Sequence, residues 1–264
     1  MKKQEPRIPL DHPDVTPKPP FYFLSDIHLS TRRGAAQDAR REDLLKLLAE
    51  VRESRGTLFI LGDFFDFWFD CRSYVPEALK PVVKGLSELR KNGINIHYIG
   101  GNHDYWIPGY LTRELGIRYY PEALEFEYGN TRFYCVHGDQ VVYNHCGYPL
   151  IRRILHAKPA IAALKCLPAK LIYYLGERVS HYNRMLDRIP EVPGHIVIDM
   201  QNFLMEKLRQ GYDIALCGHV HRPQCRRQGN KSAAILGDWI RHRSYGVWDG
   251  SGFRLAGIKE NDEN

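Results

Sequence analysis

The 264-residue chain has no uninterrupted apolar run approaching the roughly 18 residues that a membrane-spanning helix needs. The nearest run, AIAALKCLPAKLIYYLG at 160–176, is cut by Lys165, Pro168 and Lys170. Its six cysteines, at 71, 135, 146, 166, 217 and 225, form no C-x-x-C pair and show no zinc-finger spacing. That pattern suggests neither a disulfide framework nor a structural zinc site, and it fits a reducing compartment. The N-terminus, MKKQEPRIPLDHPDVTPKPP, lacks the apolar core of a signal peptide and reads as a flexible tail over 1–20. There is no internal repeat and no low-complexity run beyond that tail. With 44% hydrophobic and 26% charged residues, the composition excludes a disordered, collagen-like or coiled-coil chain.

Two quantities stand out against this ordinary background: twelve histidines, and a net charge of +6. The charge is local. Residues 150–188 hold eight Lys/Arg against two Asp/Glu, and residues 222–243 hold six against one, so the remaining body is net acidic. A basic segment and a basic loop on an acidic body favour an anionic substrate at a membrane surface over a uniformly adhesive protein.

After the tail, short β-type runs at 21–24, 57–61, 95–99, 131–136, 213–217 and 233–236 alternate with amphipathic helical runs. Leu44, Leu45, Leu47, Leu48 and Val51 lie at helical spacing, and residues 76–91 read as a second helix closed by Asn92-Gly93. The alternation predicts an α/β fold with helices covering a sheet. Tyr245-Gly246-Val247-Trp248, Asp249-Gly250 and residues 253–258 predict a closing hairpin that makes the sheet system mixed. From about 141 to 193 there is no strand signal, only helical runs broken by prolines; this segment reads as a helical insertion or cap in a domain spanning 21–264.

Five short motifs each follow a predicted strand: Ser25-Asp26-Ile27-His28, Gly62-Asp63-Phe64-Phe65-Asp66, Gly101-Asn102-His103-Asp104, His137-Gly138-Asp139 and Gly218-His219-Val220-His221. In open α/β sheets ligands bind beyond the carboxyl ends of strands, so the five loops are expected to converge on one rim. They supply carboxylate, carboxamide and imidazole without thiolate, a set suited to manganese, iron or zinc. Asp26, His28, Asp63, Asn102, His137, His219 and His221 are seven candidate ligands, too many for one tetrahedral centre. Two divalent ions about 3.5 to 4 Å apart form the clamp of phosphoester chemistry. The i, i+2 spacing of Asp26/His28 and His219/His221 suggests extended backbone that points alternate side chains the same way. Each motif alone has a plainer reading: a Gly-Asp or Gly-Asn after a strand is often a turn, and His137 fits a satisfied core histidine. The ordered set is far more specific than its parts.

The order D-x-H, GD-x-x-D, GNHD, H, GHxH resembles the calcineurin-like metallophosphoesterase superfamily, and the motifs span residues 26–221. The resemblance implies a four-layer sandwich of two packed β-sheets flanked by helices. It implies one metal held by Asp26, His28 and His221, a second by Asn102, His137 and His219, and Asp63 bridging. His103 is then expected over the substrate phosphate, oriented by Asp66. Within the superfamily, FLSDIHL, GDFFDFWFD, VHGDQ, GHVHRP, LGDWI and YGVWDG are most similar to the UDP-2,3-diacylglucosamine pyrophosphatases of lipid A synthesis. That likeness implies hydrolysis of a UDP-linked acylated glucosamine to UMP and an acylated sugar 1-phosphate by a metal-bridging hydroxide, with Mn²⁺ as the expected ion. It also implies a cap that receives acyl chains, at the position of the helical segment.

The best-known branch of that family has Arg where this chain has His103. A diphosphate releases a good leaving group, for which a fixed cation suffices, whereas an alkoxide gains from a proton donor such as His⁺. His103 therefore leaves a broader phosphodiesterase or phosphomonoesterase open beside the diphosphatase, with a non-catalytic metal-binding scaffold as a third reading. In the insertion, Arg152, Arg153, Ser180 and Asn183 are candidate headgroup contacts. Trp68, Trp106 and Trp239 lie near motifs but suit a core. The expected partner is an anionic nucleotide-sugar lipid met at the cytoplasmic face of a membrane, with no specific nucleic acid and no obligate protein partner.

Overall fold

In β1 (Phe21–Leu24) and β2 (Thr57–Leu61) every residue is buried, as in strands covered on both faces. The two-residue period divides their side chains. Phe21, Phe23, Phe59 and Leu61 enter one core, while Tyr22, Leu24, Leu58 and Ile60 enter another. The structure is a computed structural model that describes residues 17–70, 74–104, 109–142, 164, 166–186 and 192–257, without the side chains of 179–186.

One sheet places β1 and β2 beside β3 (Ile96–Ile99) and β4 (Arg118–Tyr120), all parallel. The second sheet orders β5 (Ala123–Tyr128), β6 (Thr131–Val136), β7 (Ile214–Cys217), β9 (Lys231–Ile235) and β8 (Gln224–Gln228). Its three central strands are parallel and its two edges antiparallel. The hairpin of β10 (Ser244–Trp248) and β11 (Phe253–Gly257) completes the first sheet by pairing antiparallel with β1.

The cores follow from this topology. Between the sheets, Phe59 stacks on Phe126 at 5.0 Å and Phe126 on Phe133 at 4.5 Å, with Leu61, Leu216 and Leu236 around them. Each fully buried Phe contributes about 1.5–3 kcal/mol by leaving water. On the outer face of the first sheet lie α1 (Ala35–Ser54), through Leu44, Leu47, Leu48 and Val51, and α2 (Lys80–Lys91), through Val82 and Leu86. Two single-turn helices follow, α3 (Tyr110–Arg113) and α4 (Asp139–Val142). Then come α5 (Ala169–Leu186) and α6 (Gly194–Arg209), the latter covering the second sheet with Val197, Met200, Leu204 and Leu208. The mixed α/β sandwich of two packed sheets flanked by helices is thus the observed architecture.

Several local expectations differ. Helix α2 starts at Lys80 rather than 76, with Pro81 in its first turn, where its missing N–H is not needed. Strands β4, β5 and β8 carry no sequence reading. The expected basic loop over 222–243 contains an edge strand, β8, turned back into β9 at Gly229 with φ 59°, and only 236–243 connect on to β10. Residues 17–20, placed in the tail by sequence, run against β2, where Lys18 N–H donates to Thr57 Oγ1 at 2.7 Å.

Helix α5 lies within the expected cap and is tied to two motif loops. Tyr173 Oη donates to the Phe69 carbonyl at 3.0 Å, and the Thr31 N–H donates to Glu177 Oε1 at 2.8 Å. Gly176 leaves room for the Phe67 ring, which any Cβ there would strike. Leu171, Tyr174 and Leu175 on the same helix are exposed. Among the described residues, no helix is long and apolar enough to cross a membrane.

Candidate metal centre and active site

All five motifs begin within two residues of a strand's carboxyl end, after β1, β2 and β3 of one sheet and β6 and β7 of the other. The loops after β1 and β2 are joined by main-chain hydrogen bonds from His28 N to Asp63 O at 3.0 Å and from Leu29 N to Phe64 O at 3.0 Å. The backbone there is not extended. Asp26, His28, Asp63, His219 and His221 have φ of 53°, 49°, 51°, 70° and 55°, left-handed values that cost non-glycine residues free energy. The i, i+2 pairs therefore face the centre through this twisted backbone, which corrects the extended-strand reading.

The two carboxylates divide their oxygens in the same way. Asp26 Oδ2 accepts the His219 N–H at 2.8 Å and the Ser25 hydroxyl at 2.5 Å, while Oδ1 accepts no hydrogen bond and lies 3.2 Å from His221 Nε2 and 3.8 Å from His28 Nε2. Asp63 Oδ1 accepts the His103 N–H at 2.9 Å, while Oδ2 lies 3.7 Å from His28 Nε2 and 3.5 Å from His137 Nε2. Asp63 Oδ2 thus stands between the imidazoles of His28 and His137. Asn102 Oδ1 is 3.0 Å from His137 Nε2, and the ring of His219 is 5.1 Å from that of His137.

The imidazoles are oriented from behind. His137 Nδ1 donates to the Leu61 carbonyl at 2.8 Å, and His28 Nδ1 lies 3.4 Å from Asp66 Oδ1. With the His137 Nδ1 bonded and the His28 Nδ1 turned towards Asp66, each Nε2 faces the centre. His28 and His221 bring their Nε2 atoms within 3.4 Å of each other. Glycine makes this approach possible, because a Cβ on Gly101 would collide with the Asp63 carboxylate and one on Gly62 with the His137 ring.

The charges explain what this cluster accepts. Burial raises the Asp26 pKa, but His221 and then His28 outweigh it and hold the carboxyl well below its ordinary range. Asp63 is likewise lowered, against burial, chiefly by His137 and His103. Burial disfavours the imidazolium of His28, yet the neighbouring carboxylates of Asp26, Asp66 and Asp63 raise it to about 10; Asp26 and Asp238 raise His221 to about 9 against the same penalty. His137 is raised well above its ordinary value, against burial, by Asp63. His219 is pushed down to about 3 by burial and His137. Without metal, protons on imidazoles neutralise the carboxylates. An unpartnered buried carboxylate oxygen, converging imidazoles and a carboxamide are the donor set for divalent cations, and three overlapping triads (Asp26, His28, His221; His28, Asp63, His103; Asp26, Asp63, His137) have the necessary proximity.

His103 is half-buried, and its Nδ1 lies 3.1 Å from the main-chain carbonyl of Asp66. Asp66 thus meets His103 through its backbone and directs its carboxylate at His28, a different arrangement from a side-chain dyad. Burial lowers the His103 pKa, partly offset by Asp63 and Asp66. Trp68 and Trp239 are fully buried core residues. Arg152, Arg153 and Trp106 lie outside the described residues, as do the side chains of Ser180 and Asn183, although α5 carries both positions.

Three supporting groups carry no sequence reading. Arg40 Nη1 donates to the carbonyls of Ile27 at 3.3 Å and His28 at 3.0 Å, and Arg41 Nη2 to that of Ser30 at 2.8 Å; both arginines are buried in α1. Asp104 binds the loop after β2. Asp238 stands behind His221. The last two lie inside the GNHD and LGDWI motifs, where nothing in the sequence sets their carboxylates apart; the arginines lie in no motif.

Two packed sheets that present carboxylates, imidazoles and a carboxamide at their carboxyl edges define a metal-dependent phosphohydrolase. The chain belongs to the calcineurin-like phosphoesterase family, whose model matches residues 19–223. It is 29% identical over 256 residues to the UDP-2,3-diacylglucosamine hydrolase of Porphyromonas gingivalis, covering 91% of this chain and 98% of that protein. It is 28% identical over 225 residues to the enzyme of the same name from Haemophilus influenzae, covering 84% and 91%. A dimetal phosphatase from Danio rerio overlaps 92% of this chain and 96% of its own at 15% identity with a TM-score of 0.46.

Proposed function

We propose that the protein hydrolyses the diphosphate of UDP-2,3-diacylglucosamine, or a close UDP-linked acylated glucosamine, to UMP and an acylated glucosamine 1-phosphate, with two divalent ions, Mn²⁺ foremost. The observation that carries this reading is the position of Asp63 Oδ2 between His28 Nε2 and His137 Nε2, in a chain similar along most of its length to hydrolases named for that substrate. Asp26, His28 and His221 are assigned to one ion, Asn102, His137 and His219 to the other, with Asp63 shared. When bound, the ions acidify water towards a pKa of about 7 and clamp the oxygens of an in-line displacement.

His103 supplies the protein's own contribution. Its Nδ1 is committed to the Asp66 carbonyl, so Nε2 is the atom that meets substrate. A bound diphosphate adds negative charge beside the ring and favours the imidazolium, whose Nε2–H then donates to a phosphoryl oxygen. A phosphate-ester leaving group needs little protonation, so the donor acts mainly on developing charge. Residues 141–193 serve in this reading as a cap. The exposed Leu171, Tyr174 and Leu175 of α5 suit an acyl chain, and Arg152, Arg153, Ser180 and Asn183 suit the headgroup. The site of action is the cytoplasmic face of a membrane, which the protein touches peripherally.

The test incubates purified protein and Mn²⁺ with UDP-2,3-diacylglucosamine and follows UMP. Release that stops with EDTA is expected; no release refutes the assignment. His103 in place of Arg favours one second reading, a broader phosphodiesterase or phosphomonoesterase. A soluble aryl phosphodiester or monoester turned over as fast as the lipid would establish it instead.

A further inference from the structure

The loop between β9 and β10 places a carboxylate behind the metal centre. Asp238 is 2% exposed, and its two oxygens have separate tasks. Oδ1 accepts the main-chain N–H groups of Arg241 at 2.8 Å and His242 at 3.1 Å and lies 3.3 Å from His242 Nδ1. Oδ2 lies 3.4 Å from His221 Nδ1, on the side of the ring opposite the Nε2 that approaches Asp26 Oδ1. The loop is fixed on both flanks: Trp239 N–H donates to the Asp26 carbonyl at 3.1 Å, and Ser244 N–H to the Asp238 carbonyl at 3.3 Å.

We propose that Asp238 is a positioning residue that holds His221 with its proton on Nδ1, directing the Nε2 lone pair, together with Asp26 and His28, at a divalent cation. This rests on the metal assignment proposed above. A neutral imidazole has one donor and one acceptor nitrogen, and an ionised carboxylate can only accept. The oxygen facing Nδ1 therefore selects the tautomer whose lone pair is on Nε2, and it also fixes the plane of the ring.

The hydrogen bonds around Oδ1 make Asp238→Asn a pointed test. Asparagine has one carbonyl oxygen, and the two main-chain N–H groups of the turn hold it in the Oδ1 position. Its NH₂ group then faces His221 Nδ1 and demands a lone pair there, which moves the ring proton to Nε2. The turn survives while the tautomer reverses.

The experiment titrates metal-free wild type and Asp238→Asn with Mn²⁺ by calorimetry, with thermal unfolding of both metal-free proteins as the folding control. We expect unfolding midpoints to agree, one of the two ions to bind about 10- to 100-fold more weakly in the variant, and the other to keep its affinity within about threefold. Two ions bound as in wild type overturn the proposal while leaving the metal assignment intact; a wild type that binds no Mn²⁺ overturns both. Should the variant not fold, long-range ¹H–¹⁵N spectra of the Zn²⁺-loaded wild type decide. A protonated Nδ1 with a metal-shifted Nε2 on His221 is expected, and zinc on Nδ1 refutes the inference.

Discussion

The main-chain N–H of Asp63 donates to Asp104 Oδ2 at 2.5 Å. The same oxygen accepts the Gly101 N–H at 3.0 Å, and Oδ1 accepts the Tyr98 hydroxyl at 2.7 Å. One buried carboxylate thus joins the loop after β2 to the loop after β3. Asp104→Ala strands three buried donors, each costing about 1–3 kcal/mol. Urea unfolding is expected to show a loss of at least about 3 kcal/mol and Mn²⁺ titration a weaker site. Stability within about 1 kcal/mol of wild type contradicts the bridge.

Metal loading is expected to expel protons. His28 at about 10 and His221 at about 9 are protonated at pH 7.5 in the metal-free protein, as is His137, raised well above its ordinary value. Ligation requires the neutral imidazoles, so about two to three protons leave on loading. The Mn²⁺ binding heat should then change linearly with the ionisation enthalpy of the buffer, and affinity should rise with pH from 6 to 9. Chelation should also lower the unfolding temperature, since an ion at a hundredfold excess over its Kd contributes about 2.7 kcal/mol. A binding heat indifferent to buffer shows that these imidazoles are already neutral in the metal-free protein and overturns their raised pKa values.

His97 is expected to make the fold sensitive to acid. The ring is stacked on Phe59 at 4.8 Å, with Nδ1 2.9 Å from Tyr120 Oη. Burial, then Arg118 and Arg90, push its pKa down to about 3. The unfolded state binds a proton below about 6.5 that the folded state refuses. Stability therefore falls as pH drops from about 6.5 towards 3, by at most about 1.4 kcal/mol per unit from this group. Comparing the pH dependence of unfolding for wild type and His97→Gln over pH 4–6.5 isolates the contribution; equal slopes refute it.

Gly218→Ala is expected to damage the site from outside it. A Cβ there collides with Ser25 Oγ and Asp26 Oδ2, so Asp26 must move. Overpacking of this kind costs about 1–3 kcal/mol, and Mn²⁺ affinity should fall with it. Gly252→Ala, in open space, is the control expected within about 0.5 kcal/mol of wild type. Equal behaviour of the two variants contradicts the close approach.

The central strands were legible because burial on both faces leaves an apolar run between motif loops: 57–61 and 131–136 are β2 and β6 to the residue. The edges were not. In β5, Glu125 and Glu127 alternate with Leu124 and Phe126, and in β8 the run Gln-Cys-Arg-Arg-Gln is nearly all polar. Edge strands that face water on one side lose the apolar signal, and short ones keep little alternation to replace it. The candidate ligands were legible as types in order. Their backbone was not, because left-handed φ at Asp26 or His221 is imposed by tertiary contacts that no local preference favours. The same holds for Arg40: its partners are carbonyls, which every residue has, so no spacing in the sequence announces them.

The aromatic stack between the sheets has a consequence for distances at the rim. Asp26, His28, Asp63 and Asn102 ride on the first sheet, whereas His137, His219 and His221 ride on the second. The contact of Phe59 on the first sheet with Phe126 on the second, 5.0 Å between ring centres, therefore works as a gauge block. It fixes the gap across which one half of the centre addresses the other, and rings that never touch an ion define the width of the seat offered to it.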